Sequence, residues 1–277
     1  MSPAALPIRI EDPDDERIAG FRQIREKDLV QRQGRFIAEG TVVLSLLAES
    51  HANDGDFGAE ALLVLENRLA GLEPVLAKFP ADVPLYVASR PVMNAIAGFD
   101  IHRGVLAIGM RRRHPDAKTV LAHLPAGALV VVAGGISNHD NIGSIFRNAA
   151  VFGADAVLLD ETCCDPLYRK AIRVSVGTVF KLPFVLGGSH HDLIASLNEA
   201  GFSLYGLSPQ GQVDIRQIRP TGRMALLTGA EGEGLPAEIL NSIQTARIPQ
   251  APGVDSLNAA TATGIALFAI ASAMGRL

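Results

Sequence analysis

Asn141, Gly143 and Arg147 follow closely on a strongly apolar run, "ALVVVAG" (128–134). A strand that ends in Gly134-Gly135 and gives way to a helix near Asn141-Ile142 presents unpaired N–H groups and a positive dipole end, which suits an anion. Asn141 is a candidate helix cap. Gly143 allows a backbone or ligand to approach closely. The Arg147 guanidinium is a fork for phosphate or carboxylate. Taken alone, the same residues also describe a capped helix with an ordinary surface arginine. A second segment, "LLTGAEGEGLP" (226–236), sets Gly229, Gly232 and Gly234 around Glu231 and Glu233 after another apolar run. Its glycine order, G-x-x-G-x-G late in the chain, is not the dinucleotide fingerprint, which argues against a nicotinamide-dependent oxidoreductase. It lacks the Lys-Ser/Thr ending of a phosphate-binding P-loop. Such a loop brings backbone N–H and C=O groups against a flat ligand such as adenine, or is a flexible turn. A third, "RIPQAPGVDSLNAATATGIALF" (247–268), has Ser256 as a candidate N-cap for the last helix and Asn258 in its first turn.

The elements that would position these residues alternate between strand and helix. After residue 128 the strands "ALVVVAG", "DAVLLD", "FSLYGLS", "RMALLTG" and "ARIPQ" are separated by helical segments, ending in the small-residue helix "LNAATATGIALFAIASAM". Apolar strands with helical crossovers predict a mostly parallel sheet. Before residue 111 the elements are shorter: helix "TVVLSLLAES", strand "EALLVLEN", helix "LEPVLAKF", strand "PLYVAS", helix "PVMNAIAGF" and strand "RGVLAIGM". This describes a small α/β domain over 1–110, a charged linker over 111–127 and a larger α/β domain over 128–277. Arg22, Arg25, Lys27, Arg32 and Arg35 form a basic cluster near the N-terminus, which by itself reads as a solvated helix face.

Composition bounds the function. The chain has 277 residues, 48% hydrophobic and 19% charged, with a formal net charge of −4. That is a packed globular composition, and any basic contact surface must be local. The acidic N-terminus has no apolar signal core, and no apolar run is long enough to span a bilayer, so a cytoplasmic protein without a membrane partner is expected. The adjacent Cys163 and Cys164 make neither a disulfide framework nor a zinc site, and His190-His191 reads as a pair of solvated loop histidines, so no metal is expected.

The three segments, in this order, resemble the motifs of the SpoU (TrmH-like) family of RNA ribose 2'-O-methyltransferases, of the SPOUT class. Asn141, Gly143 and Arg147 match the first; Gly229, Glu231, Gly232, Gly234 and Leu235 match the second; Ile248, Pro249, Ser256, Leu257 and Asn258 match the third. The sequence departs from the family at Ala230, where many members have Asn, and in "SNHDNIG" (137–143), where many have an Asp-Pro pair before the Asn. The N-terminal part resembles the family's L7Ae/L30e-like RNA substrate-binding domain in "RFIAEGTVVLSLLAES" and "RGVLAIGM". The resemblance implies an α/β fold with a C-terminal trefoil knot, S-adenosyl-L-methionine as cofactor, transfer RNA or ribosomal RNA as substrate, and a homodimer with the active site at its interface. It implies Arg147, Asn141, Glu231, Ser256 and Asn258 as the catalytic set and Thr228, Gly229, Gly234, Ile248, Gln250 and Leu257 around the cofactor, with the basic cluster as RNA contacts. It places Gly229 where backbone meets ligand. The alternative is an RNA-binding protein of the same fold without catalysis; the retained catalytic set argues against it.

Overall fold

The computed structural model describes residues 6–22, 34–97, 104–253 and 257–277. They form two compact units. The first comprises Met1–His114 together with Leu167–Lys181, the second Pro115–Pro166 together with Leu182–Leu277.

The first unit is built on a mixed sheet. Its elements are β1 (Pro7–Ile10), β2 (Arg35–Glu39), α1 (Thr41–Ala52), β3 (Phe57–Leu65), α2 (Leu69–Leu76), β4 (Leu85–Ala88), α3 (Arg90–Ala97) and β5 (Val105–Arg111). The sheet order is β1-β4-β3-β5-β2. β4 runs parallel to β1 and β3, whereas β5 is antiparallel to β3 and β2. Strands such as β3, with Leu62 to Leu65 buried, read as continuous apolar runs because helices cover them.

The second unit begins with α4 (Ala117–Ala122), capped by Asp116, whose side chain accepts from Thr119 N. This helix occupies part of the stretch expected as a linker; its six residues are too few to stand out by periodicity. β6 (Leu129–Ala133), α5 (His139–Val151) and β7 (Ala156–Leu159) follow. The chain then contributes α6 (Arg169–Val174) and a short turn of 3₁₀ helix, Thr178–Phe180, to the first unit. It resumes as β8 (Phe184–Leu186), α7 (His190–Glu199), β9 (Phe202–Leu207), β10 (Val213–Asp214), β11 (Arg223–Thr228), α8 (Ala237–Ser242), β12 (Gln244–Arg247) and α9 (Ala259–Ala273). The seven-stranded sheet has the order β10-β12-β9-β11-β6-β7-β8, and every pairing in it is parallel. The fold is therefore α/β with a mostly parallel sheet, as the alternating sequence predicts. In a parallel sheet all strands end on one edge, so Gly134, Asp160, Ser208, Gly229 and Ile248 share that edge. Among the described residues no helix is long and apolar enough to cross a membrane.

The late segment of the first unit is held by specific contacts. The Phe180 ring lies 5.1 Å from Phe36 and 5.2 Å from Phe57. Arg169 donates from Nη2 (2.7 Å) and Nε (3.2 Å) to Oε2 of Glu39, a carboxylate that is 6% exposed as a residue and needs a partner there.

Candidate functional site

The first motif starts where β6 ends. Gly134 N–H donates to Thr228 O at 3.0 Å, and Gly135 turns the chain with φ +68°. The cap of α5 is Asn138, whose side chain accepts from Asp140 N at 2.8 Å. Asn138 thus fills the capping position despite the departure from Asp-Pro. The expectation that Asn141 caps the helix is corrected: Asn141 lies inside α5, 6% exposed. Its Oδ1 accepts from Asn258 Nδ2 at 2.9 Å, while its own Nδ2 is buried without a partner. Gly143 is buried, and Arg147 projects from the exposed face of α5 with no hydrogen bond or ion pair to a described residue.

The second motif is a loop folded back on itself. Gly234 N–H donates to Ala230 O at 2.9 Å, and the two residues form an isolated bridge. Gly232 (φ +85°) and Gly234 (φ +72°) adopt the left-handed conformation this needs. Gly229 makes room for the loop itself. A Cβ there would lie 2.2 Å from both Gly234 C and Leu235 N, so its missing side chain admits the loop's own backbone.

The third motif ends in α9. Its cap is Asn258, not Ser256: the Asn258 side chain accepts from Ala260 N (3.0 Å) and Thr261 N (3.1 Å). Ser256 lies outside the described residues, as do Arg25, Lys27 and Arg32. With its oxygen committed to the helix N-terminus, Asn258 turns its Nδ2 to Asn141, so one amide pair links the first and third motifs. Gly264 lets α9 approach α5 closely; a Cβ there would be 2.8 Å from Asn148 Nδ2, which itself donates to Ala260 O at 2.9 Å. The small-residue stripe of α9 is buried at Ala260, Gly264, Leu267 and Ala271, while Phe268 on the same helix is 55% exposed.

The second and third segments enclose a cleft of about 300 Å³ at the C-terminal edge of the sheet. Thr228, Gly229, Gly234, Ile248, Gln250 and Leu257, the residues expected around a cofactor, all line it, together with Glu231 and Asn258. Asn141 reaches it through Asn258; Arg147 is not among its lining residues. The motif reading missed the apolar wall made by Leu207, Pro209, Leu240 and Ala246. Leu207 and Pro209 flank the end of β9, and the end of a parallel strand is the signal that could have found them. Of the basic cluster, Arg22 donates to Asp14 Oδ1 (3.0 Å) and to the carbonyls of Asp14 and Asp15, and Arg35 pairs with Glu60 at 2.7 Å.

Both thiols are free. Burial, then the Asp160 charge, pushes the Cys163 thiol far up, and burial followed by the Asp165 charge takes Cys164 to about 12. Neither is a thiolate nucleophile near neutral pH. His190 is no solvated loop residue: it opens α7, its side chain is 17% exposed, and Nδ1 lies 3.0 Å from Asp160 Oδ2. His191 is exposed beside Glu238. Among the described residues no cluster of His, Cys, Asp or Glu could hold a metal ion.

Comparison with known proteins gives a consistent picture. The SpoU rRNA Methylase family model matches residues 128–268. An uncharacterized tRNA/rRNA methyltransferase of Mycobacterium tuberculosis is 39% identical over 266 residues, covering 93% of this chain and 89% of that protein. The 23S rRNA (guanosine-2'-O-)-methyltransferase RlmB of Pectobacterium atrosepticum is 29% identical over 204 residues, 71% of this chain and 82% of its own. The crystal structure of an AdoMet-bound rRNA methyltransferase from Sinorhizobium meliloti superposes with a TM-score of 0.81 at 26% identity, covering 98% of both chains.

Proposed function

This chain belongs to the SpoU rRNA methylase family, and from that membership we propose that it is an S-adenosylmethionine-dependent methyltransferase acting on a ribose 2'-hydroxyl of structured RNA, transfer or ribosomal. The observation that carries the reading is convergence: residues from the second and third motifs line one cleft, and the Asn141–Asn258 hydrogen bond ties the first motif to it. The relative RlmB, named for guanosine 2'-O-methylation, supports ribose as the acceptor.

The cleft fits the cofactor. It combines an apolar wall for a flat base with a loop whose backbone is bared by Gly229 and Gly234, and its volume lies at the lower end of small-ligand sites. Thr228, Gly229, Gly234, Ile248, Gln250 and Leu257 are the residues that would hold it. When bound, S-adenosylmethionine supplies an electrophilic methyl group. Arg147 would grip the phosphate beside the target ribose and stabilise negative charge developing on the 2'-oxygen. A guanidinium is a fixed fork of N–H donors, and in that role Arg147 would orient the nucleotide and act as electrostatic partner of the reacting oxygen. The unpaired Asn141 Nδ2 is a donor held ready for an acceptor on the nucleotide, its amide fixed by Asn258. Glu231, exposed at the mouth of the cleft, would accept from a ribose hydroxyl or orient Arg147, and Ser256 would add a hydroxyl contact. Holding the hydroxyl in line with the methyl donor is worth several kcal/mol, up to ~7–11 in ideal cases.

The reading extends to assembly and domains. Arg147 stands outside the cleft of its own chain, on a helix that exposes Val151 and whose end, at Phe152, meets the exposed Phe268 of α9 beside Ile265. A two-fold partner on that apolar face would cover it and bring its Arg147 to this cleft, giving a homodimer with composite sites. The knot is part of the same proposal, supported by chain order: β12 lies beyond β9, yet α9 returns to pack on α5. The N-terminal unit would bind RNA, and the protein would work in the cytoplasm. The test is transfer of labelled methyl from S-adenosylmethionine to bulk RNA, followed by digestion to nucleosides and mass spectrometry. A 2'-O-methylated nucleoside is expected; label on a base, or none, would refute the proposal.

A further inference from the structure

Asp160 is a buried carboxylate that the reading above leaves without a role. It follows β7 directly and is 2% exposed. Its Oδ1 accepts from the backbone N–H groups of Gly135 (3.1 Å), Thr162 (3.2 Å) and Cys163 (3.0 Å). Thr162 Oγ1 lies within 3.0 Å of both carboxylate oxygens. The remaining partner is His190, whose Nδ1 is 3.0 Å from Oδ2. A carboxylate there accepts, so Nδ1 carries the proton. His190 Nε2 is buried and has no hydrogen-bond partner. Its place is explained by Gly134: a Cβ on that residue would sit 1.7 Å from Nε2, so the imidazole fills the space the glycine leaves. Carboxylate and imidazole therefore grip two consecutive glycines, one through a hydrogen bond and one through van der Waals contact.

Those glycines open the short link, Gly134 to Ser137, between β6 and the helix α5 that Asn138 caps. Glycine pairs are the least restrained backbone a chain can have, so something must fix them. The turn also touches the glycine loop of the cleft. Gly134 N–H bonds Thr228 O, and a Cβ at Gly135 would lie 3.1 Å from Ala230 Cβ.

We infer that Asp160 and His190 are positioning residues, a buried carboxylate–imidazole pair that fixes the Gly134-Gly135 turn and through it the placement of α5, the helix that carries Asn141 and Arg147. The pair needs no contact with RNA or cofactor. A displacement on the order of 1 Å in the groups it positions is enough to lower a transfer rate about a hundredfold. For its activity readout the inference rests on the methyl-transfer reading; a second readout, amide exchange, does not.

The experiment uses the full-length protein. Maximal methyl transfer to bulk RNA from a strain lacking the gene, S-adenosylmethionine affinity, and hydrogen exchange of the peptide covering residues 134–146 are measured for His190→Ala, His190→Asn, Asp160→Asn and Gly134→Ala. His190→Asn keeps an N–H directed at Asp160. His190→Ala should lower the maximal rate by about tenfold or more, leave cofactor affinity within about threefold because the Gly134–Thr228 backbone bond persists, and speed exchange in the peptide. His190→Asn should recover most of the rate. Gly134→Ala should be damaging alone and nearly without further effect in a His190→Ala background, since the added methyl then meets space. Should His190→Ala not fold, the isosteric Asp160→Asn carries the same expectations. An inactive wild type would refute the methyl-transfer reading, and the exchange data would then decide the pair by themselves. Wild-type rate and exchange in His190→Ala and Asp160→Asn would overturn the inference. So would an Asn variant as impaired as Ala, or fully multiplicative effects of the Gly134 and His190 changes.

Discussion

Replacing Gly229 by alanine is the sharpest perturbation the cleft offers, because the methyl group would meet backbone and no movable side chain. The new carbon would lie 2.2 Å from Gly234 C and Leu235 N and 2.4 Å from Gly234 O. To reach the 3.4 Å at which ordinary contact begins, the returning limb of the loop must open by about 1 Å. That limb carries Gly234 and Leu235, both of which line the cleft, and the Gly234–Ala230 hydrogen bond that closes the loop. Overpacking of this kind costs about 1–3 kcal/mol, which in a binding loop is roughly one to two orders of magnitude in Kd. Calorimetric titration with S-adenosylmethionine should show that weakening while thermal unfolding stays cooperative. Gly232→Asn is the matched control. Nothing lies within 4 Å of its Cβ position, and asparagine bears a positive φ at less cost than other side chains, so its Kd should change clearly less than that of Gly229→Ala. A folded Gly229→Ala protein with unchanged affinity would refute the argument, as would equal damage from both substitutions.

Arg147→Ala should lower methyl transfer by about a hundredfold or more with cofactor affinity unchanged in calorimetry. If the sites are composite, refolding an Arg147→Ala chain together with a Gly229→Val chain should restore activity to about a quarter of wild type, and verified heterodimers without activity would exclude shared sites. Phe180→Ala should cost about 3–5 kcal/mol in urea unfolding, because its ring packs on Phe36 and Phe57; a loss below about 1 kcal/mol would show that the cluster relaxes. Cys163 and Cys164, their thiols raised by burial, should react with iodoacetamide at pH 8 at least about tenfold more slowly in the native protein than in urea; equal rates would contradict their placement.

The parallel sheet was legible because β6, β7 and β11 are short apolar runs buried on both faces, and a helix-length pattern lies between each and the next. The glycine loop that lines the cleft was legible because glycines that must bend a backbone leave a spacing in the sequence. The cap of α5 was not, since Asn138, Asp140 and Asn141 are all good capping types and only the geometry chooses Asn138. The same ambiguity put Ser256 in the place of Asn258, although Asn258 caps with the same oxygen chemistry. His190 was read as solvated because its partner lies 30 residues earlier in the chain, at the end of a different strand, and no local pattern records such a contact. Periodicity likewise registered the stripe of α9 without telling Leu267, which is buried, from Phe268, which is exposed beside the Phe152 ring.

The placement of Leu167–Lys181 within the first unit has a consequence for how the chain is made and remade. On a ribosome, Phe36, Glu39 and Phe57 emerge long before Phe180 and Arg169, so the N-terminal unit waits with an unfinished aromatic cluster and an unpaired buried carboxylate until about two-thirds of the chain has been synthesised. The same interleaving defeats a single crossover in evolution or in the laboratory. A graft taken at residue 114 would separate Glu39 from Arg169, and a working chimera must carry both stretches of the unit across together.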